Sequence, residues 1–94
     1  MTALYKSAFR KFVKKQSRVF QLAIEDEVHW VLGSPQAGEG KKVDQEGIRV
    51  HKFKFHQQEY LMAYSVHDRK LVFYMMGTHE NFYRALKACL KEMD

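Results

Sequence analysis

The chain is poor in crosslinks and in punctuation: 94 residues hold one cysteine, one proline and five glycines. The lone Cys89 cannot close an internal disulfide, nor can it supply a Cys-x-x-Cys metal site. No two of the five histidines stand at His-x-x-x-His spacing, and the acids are scattered. The chemistry expected is therefore metal-free, with no cofactor. A glycine-rich phosphate loop is also missing, since Gly38-x-Gly40 supplies two glycines in a turn and lacks the following Lys-Ser/Thr. The longest unbroken apolar run, Leu71 to Met76, is six residues, whereas a membrane span needs about 20. No basic-then-apolar leader is visible. These absences lead us to expect a cytoplasmic chain with no membrane partner.

What is present is a basic balance. Sixteen Lys and Arg against eleven Asp and Glu give a formal net charge of +5, and the sequence pI is about 9.4. Hydrophobic residues are 46% of the chain, enough for a packed core and too many for intrinsic disorder. The length fits one domain over residues 1–94, with no repeat or linker. A chain this short has little core to spare for an enclosed cavity. Positive charge on a small domain favours a surface site for a large anionic partner such as nucleic acid; added solubility is an equal reading of the same number.

Hydrophobic spacing organises the chain. Phe9, Phe12, Val13 and Gln16 recur at three and four residues and predict a helix over 7–16, with Ser7 as its N-cap. Ser17 is placed to cap a second helix carrying Phe20, Ala23, Ile24, Val28, Val31 and Leu32 on one stripe. Gly33 is expected to end it in a left-handed conformation, and Pro35 to prevent its resumption. Met1 to Tyr5 reads as a short first strand. After Gly47 the period becomes two. Strands are expected over 48–56, 60–66 and 70–76, joined by turns at His56–Glu59 and His67–Arg69. Connections that short require antiparallel pairing. Gly77 ends the third strand, Thr78 is the expected N-cap of a last helix, and Phe82, Ala85, Leu86, Cys89, Leu90 and Met93 mark that helix's apolar stripe. The fold class is α+β: an N-terminal helical hairpin on a small antiparallel sheet of three or four strands, with a C-terminal helix.

Titratable and cationic groups concentrate in the second half. Arg49, His51, Lys52, Lys54, His56 and Glu59 crowd one hairpin. Lys52, Lys54 and His56 alternate at two, so they are expected on one face of a strand, with donors about 7 Å apart. A phosphate-binding strip and an ordinary solvated sheet face both fit that alternation. His79 is expected in the first turn of the last helix with Tyr83 one turn on, so that the two share a helix face. A surface histidine above a core tyrosine fits that spacing, and so does a site, because a His–Tyr pair beside a lysine strip can cut RNA without metal. It offers a base for the ribose 2′-OH, cations for the phosphorane charge and an acid for the leaving 5′ oxygen.

The ordered set of elements resembles the RelE/ParE superfamily of bacterial type II toxins over nearly the whole chain. Gly47-Ile48-Arg49-Val50-His51-Lys52-Phe53-Lys54-Phe55 is similar to the family's G-x-R-x-x-K/R-x-K strand. Glu59-Tyr60-Leu61-Met62-Ala63-Tyr64-Ser65-Val66 is similar to its Y-R-x-x-Y-x-V strand, and Asp68, Lys70, Leu71 and Val72 continue the likeness. Gly77-Thr78-His79 with Phe82-Tyr83 resembles the endings of YafQ-like and HigB-like members. The resemblance implies a ribosome-dependent mRNA endoribonuclease, held in check by a cognate antitoxin. It implies that Lys52, Lys54, His79, Tyr83, Glu59 and His56 are catalytic. Arg49, His51, Lys52 and Lys54 would bind RNA phosphate. Leu61 departs from RelE, which has an arginine there, and His56 is one position out of step with the YafQ histidine. ParE members share the fold but are associated with inhibition of DNA gyrase. That target, and a non-catalytic relative that only binds antitoxin, are the alternatives.

Overall fold

The structure is a computed structural model that describes residues 2–35, 39–40 and 47–91. Met1, Gly38 and Met93, which enter the expectations above, lie outside these residues. The elements in chain order are β1 (Thr2–Tyr5), α1 (Ser7–Lys14), α2 (Arg18–Gly33), β2 (Glu39–Gly40), β3 (Arg49–Phe55), β4 (Gln58–His67), β5 (Lys70–Thr78) and α3 (Phe82–Lys91). They form one five-stranded sheet in the order β1-β5-β4-β3-β2. The α+β class, the leading helical hairpin and the closing helix are as the sequence predicts.

Both faces of the sheet are covered. Phe9, Phe20, Ile24, Val28 and Val31 of the hairpin bury against Phe53, Met62, Tyr64, Leu71, Phe73 and Met76. On the other face Phe82, Leu86 and Leu90 of α3 cover Ile48, Val50, Leu61, Ala63, Val72 and Tyr74. The central strands β4 and β5 are buried on both sides, which is why their sequences are nearly continuous apolar runs.

Local chemistry sets the boundaries, with several departures from expectation. Ser17 caps α2 by accepting from the Phe20 amide at 3.2 Å. Ser7 is instead the first residue of α1, behind Lys6, which makes no side-chain cap. Gly33 stays inside α2, and Ser34 follows it at φ −143°. The stop is therefore a non-helical residue ahead of Pro35, consistent with the bias against helical backbone before proline. The sheet is mixed, because β1 pairs parallel to β5 with Leu4 opposite Val72. Both hairpins close through two residues at positive φ, His56–Gln57 (50° and 68°) and Asp68–Arg69 (47° and 65°). Positive φ at both central residues is the handedness that matches strand twist.

The pairing of β4 with β5 shifts register between Ala63 and Tyr64: Tyr64 faces Phe73, whereas Ala63 faces Met75. Tyr74 is the extra residue of a β-bulge. Its hydroxyl lies 2.8 Å from Ser65 Oγ in the interior. A bulge shifts the pleat by one, so every residue after it changes face relative to a regular strand. Gly77 thereby comes opposite Leu61 on the α3 side.

Candidate active site

β3 divides its side chains by parity. Val50 points into the cluster under α3, and Lys52 and Lys54 follow it on that face by the two-residue period. Their cross-strand neighbours are Leu61 and Glu59. A first row therefore runs Lys52–Leu61–Gly77 across three strands, and a second pairs Lys54 with Glu59. Directly opposed side chains have Cβ atoms about 4.5–5.5 Å apart, so the lysine and carboxylate are within reach of each other. Leu61 is wholly buried, and no charge enters the first row between Lys52 and the far strand. A Cβ built at Gly77 meets nothing within 4 Å. The α3 side is thus open over that strand end.

His79 follows directly on Thr78, the last residue of β5. His79 lies beyond the strand, and its contact with Tyr83, which packs on the cluster under α3, puts it on the α3 side, the side that carries Lys52, Lys54 and Glu59. Its exposed ring meets Tyr83 edge-to-face, with centroids 6.1 Å apart and planes at 79°. Tyr83 is half-buried, leans on the cluster under α3 and meets Phe82 at 5.2 Å.

The local route to that pair differs from expectation. Thr78 is not the N-cap of α3, because it is paired with Tyr60 in the sheet. The turn runs through Asn81 at φ 61°. The Asn81 carbonyl accepts from the Ala85 amide at 3.0 Å, and the His79 carbonyl from the Phe82 amide at 3.3 Å. His79 thus lies before the helix. Its meeting with Tyr83 comes from the turn and not from a shared helix face.

Three of the sequence candidates lie elsewhere. His56 is in the β3–β4 turn at positive φ, with its ring stacked 4.0 Å from Phe55; the strand alternation ends before it, so it does not extend the Lys52–Lys54 strip. Arg49 and His51 have the parity of the hairpin face. The His51 Nε2 is 2.7 Å from Glu27 Oε1 of α2, and its ring stacks on Trp30 at 4.9 Å. That imidazole ties α2 to β3 on the side of the sheet away from Lys52 and Lys54.

The exposed flank of α3 is basic, a feature outside the candidates that the sequence offers. Tyr83, Arg84, Lys87, Ala88 and Lys91 line a groove of about 530 Å³. The spacing of Arg84, Lys87 and Lys91 at three and four residues was the available signal. A second hollow, about 350 Å³, lies between α1 and α2 over Phe9, Ile24 and Val28; it belongs to the hairpin side and has none of the candidate residues. Among the described residues, no three His, Cys, Asp or Glu side chains come together in a way that could hold a metal ion. No helix among them is long and apolar enough to cross a membrane.

Comparison with known proteins agrees with this architecture. A family model described as the ParE-like toxin of type II bacterial toxin–antitoxin systems matches residues 4–87. Among solved structures, the chain is similar to an arginine-substituted mutant of the E. coli toxin RelE in the free state. The TM-score is 0.73 at 17% identity, covering 99% of this chain and 97% of that one. It is also similar to a chain of the intact E. coli RelBE toxin–antitoxin complex, with a TM-score of 0.67 at 18% identity over 84% and 96% of the two chains. The isolated E. coli RelE toxin gives 0.65 at 17% identity over 98% of both. At these identities the likeness is one of fold. No curated protein is similar to the chain in sequence at a significant level.

Proposed function

The chain belongs to the ParE-like toxin family of type II bacterial toxin–antitoxin systems, and we propose that it is a ribosome-dependent endoribonuclease that cuts mRNA and arrests translation. The observation that carries this reading is the shared face: Lys52, Lys54 and Glu59 from two strands, and the His79–Tyr83 pair beyond a third. These are the group types that metal-free RNA scission requires.

The reaction is an in-line transesterification. A base, His79 or Glu59, takes the 2′-OH proton, and the 2′ oxygen bonds to phosphorus. The P–O5′ bond breaks, and the other of the two groups, as acid, protonates the departing 5′ oxygen. The products are a 2′,3′-cyclic phosphate and a 5′-hydroxyl; no water, metal or redox partner enters. Lys52 and Lys54 neutralise the charge that builds on the phosphorane oxygens. Tyr83 braces the imidazole and offers a face to a base. So few groups leave most of the substrate positioning to the ribosome.

A cognate antitoxin is the protein partner. The structural likeness to a chain of the RelBE complex supports this. The description of the matching family after ParE supports one second reading, inhibition of DNA gyrase. Induced expression separates the two. The ribonuclease stops incorporation of amino acids first, and mapped transcript ends fall inside translated regions in frame. Earlier arrest of DNA synthesis, with intact transcripts, would replace it with the gyrase reading.

A further inference from the structure

We propose that the flank of α3 is a binding track for the sugar–phosphate backbone of single-stranded RNA, leading to the His79–Tyr83 corner; the assignment rests on the ribonuclease reading above. The track is Arg84, Lys87 and Lys91, which with Tyr83 and Ala88 line the groove of about 530 Å³. All three cations are exposed, and none forms an ion pair within the described residues. At 1.5 Å rise per residue they are spaced about 4.5 and 6 Å along the helix axis.

The helix gains little from this arrangement: Lys91 alone, in the last turn, meets the favourable end of the dipole. α3 contains no acidic residue to pair with them. Like charges at three and four residues repel. Arg84 also lies in the first turn, where the positive end of the helix dipole opposes a cation. A row of cations that repel one another becomes favourable once a polyanion lies along it, because bound phosphates replace the mutual repulsion and release counterions.

Tyr83 joins the track to the candidate site. It lines the groove and touches His79. An aromatic ring at the head of a cation row fits a single strand, whose unpaired bases have faces free to stack. Ala88 keeps the middle of the groove low, so a backbone can approach Lys87 and Lys91 together.

The test uses the full chain and a fluorescent 2′-O-methyl oligouridine of about 12 nucleotides, which has no 2′-hydroxyl to react. The triple variant Arg84→Ala, Lys87→Ala, Lys91→Ala is compared with Lys11→Ala, Lys14→Ala, Lys15→Ala at the C-terminal end of α1, which removes the same charge. The α3 triple should lose roughly tenfold or more in affinity near 0.1 M salt, and its log–log salt slope should shrink by about 2. The α1 triple should change affinity by less than about threefold. Helical circular dichroism of the α3 triple should be retained, since its substitutions relieve repulsion and alanine is the strongest helix former. Equal losses in the two triples, or unchanged affinity in the α3 triple, would overturn the track. So would an equal loss of binding to polyglutamate, which would make the flank a surface for acidic proteins. The track and the nuclease fail separately: binding of uncleavable RNA does not require cutting, and mapped transcript ends do not require the α3 triple.

Discussion

At the scale of single residues, Lys54 and His79 combine exposure with position. Both are solvent-accessible, so truncating either removes a functional group without opening a cavity. Surface substitutions of this kind usually move stability by no more than about 0.5 kcal/mol, whereas a lost general acid or base costs about 10²–10⁴-fold in rate and a lost stabiliser of transition-state charge about 10²–10³-fold. Lys54→Ala and His79→Ala should each abolish growth arrest on induction while leaving the thermal midpoint in place. Full toxicity in both variants would remove the active-site assignment. Tyr5 offers a second residue-level test. Burial, and then the nearby Glu25 carboxylate, raise its phenol above the ordinary 10.0. The folded chain therefore holds that proton more tightly than the unfolded chain does. The stability this represents is intact below pH 10 and is lost as pH climbs from there through the raised folded value. Thermal midpoints of Tyr5→Phe and wild type, followed from about pH 8 to about pH 11, should show wild type losing ground only above 10. A constant gap across the range would mean that the phenol titrates alike in both states.

At the scale of elements, the bulge in β5 has the largest consequence, and its buried polar pair is its most testable part. Ser65 is 1% exposed, and its hydroxyl is bonded to the Tyr74 hydroxyl. Tyr74→Phe leaves a buried hydroxyl without that partner, at a cost of about 1–3 kcal/mol. Removing both partners in Ser65→Ala with Tyr74→Phe should restore part of the loss, and urea titration of the four-member cycle should give a coupling of about 0.5–3 kcal/mol. Additive single effects would show that the pair contributes nothing of its own. The bulge is also where the sequence becomes unreadable. Helices and strands announce themselves through their periods, and Phe20, Ile24 and Val28, or Phe53 between Lys52 and Lys54, place themselves. Nothing in Tyr74-Met75-Met76 marks the extra residue, since all three are apolar and β4 and β5 are buried on both faces. Thr78 misleads for a related reason: a threonine after a glycine has the form of a helix cap, but pairing with Tyr60 extends the strand through it. Alternation puts Lys52 and Lys54 on one face of β3, as the register has them; it fails at His56, where a tight turn at positive φ takes over from the strand. His51 has ordinary strand parity, and only the tertiary contact with Glu27 reveals what it does.

At the scale of the whole molecule, the three layers are unequal. The hairpin brings two helices to its side of the sheet, whereas α3 covers the other side with Phe82, Leu86 and Leu90. That helix also carries Tyr83 and borders the candidate site, so the second core and the chemistry depend on one ten-residue element. A chain of this size has about 0.05–0.15 kcal/mol of stability per residue, or about 5–14 kcal/mol in all. Leu86 is fully buried, and Leu86→Ala should cost about 2–5 kcal/mol, a large share of that total. How the loss is distributed tests whether the layers unfold together. The sheet is common to both cores, with β4 and β5 contributing side chains to each, so α3 should not separate from the rest. Urea unfolding of Leu86→Ala should then show a lower midpoint with an unchanged m-value. A reduced m-value, or an earlier loss of helical signal than of tyrosine fluorescence, would mean that α3 peels away alone, and that the His79–Tyr83 contact is made only while the helix is docked.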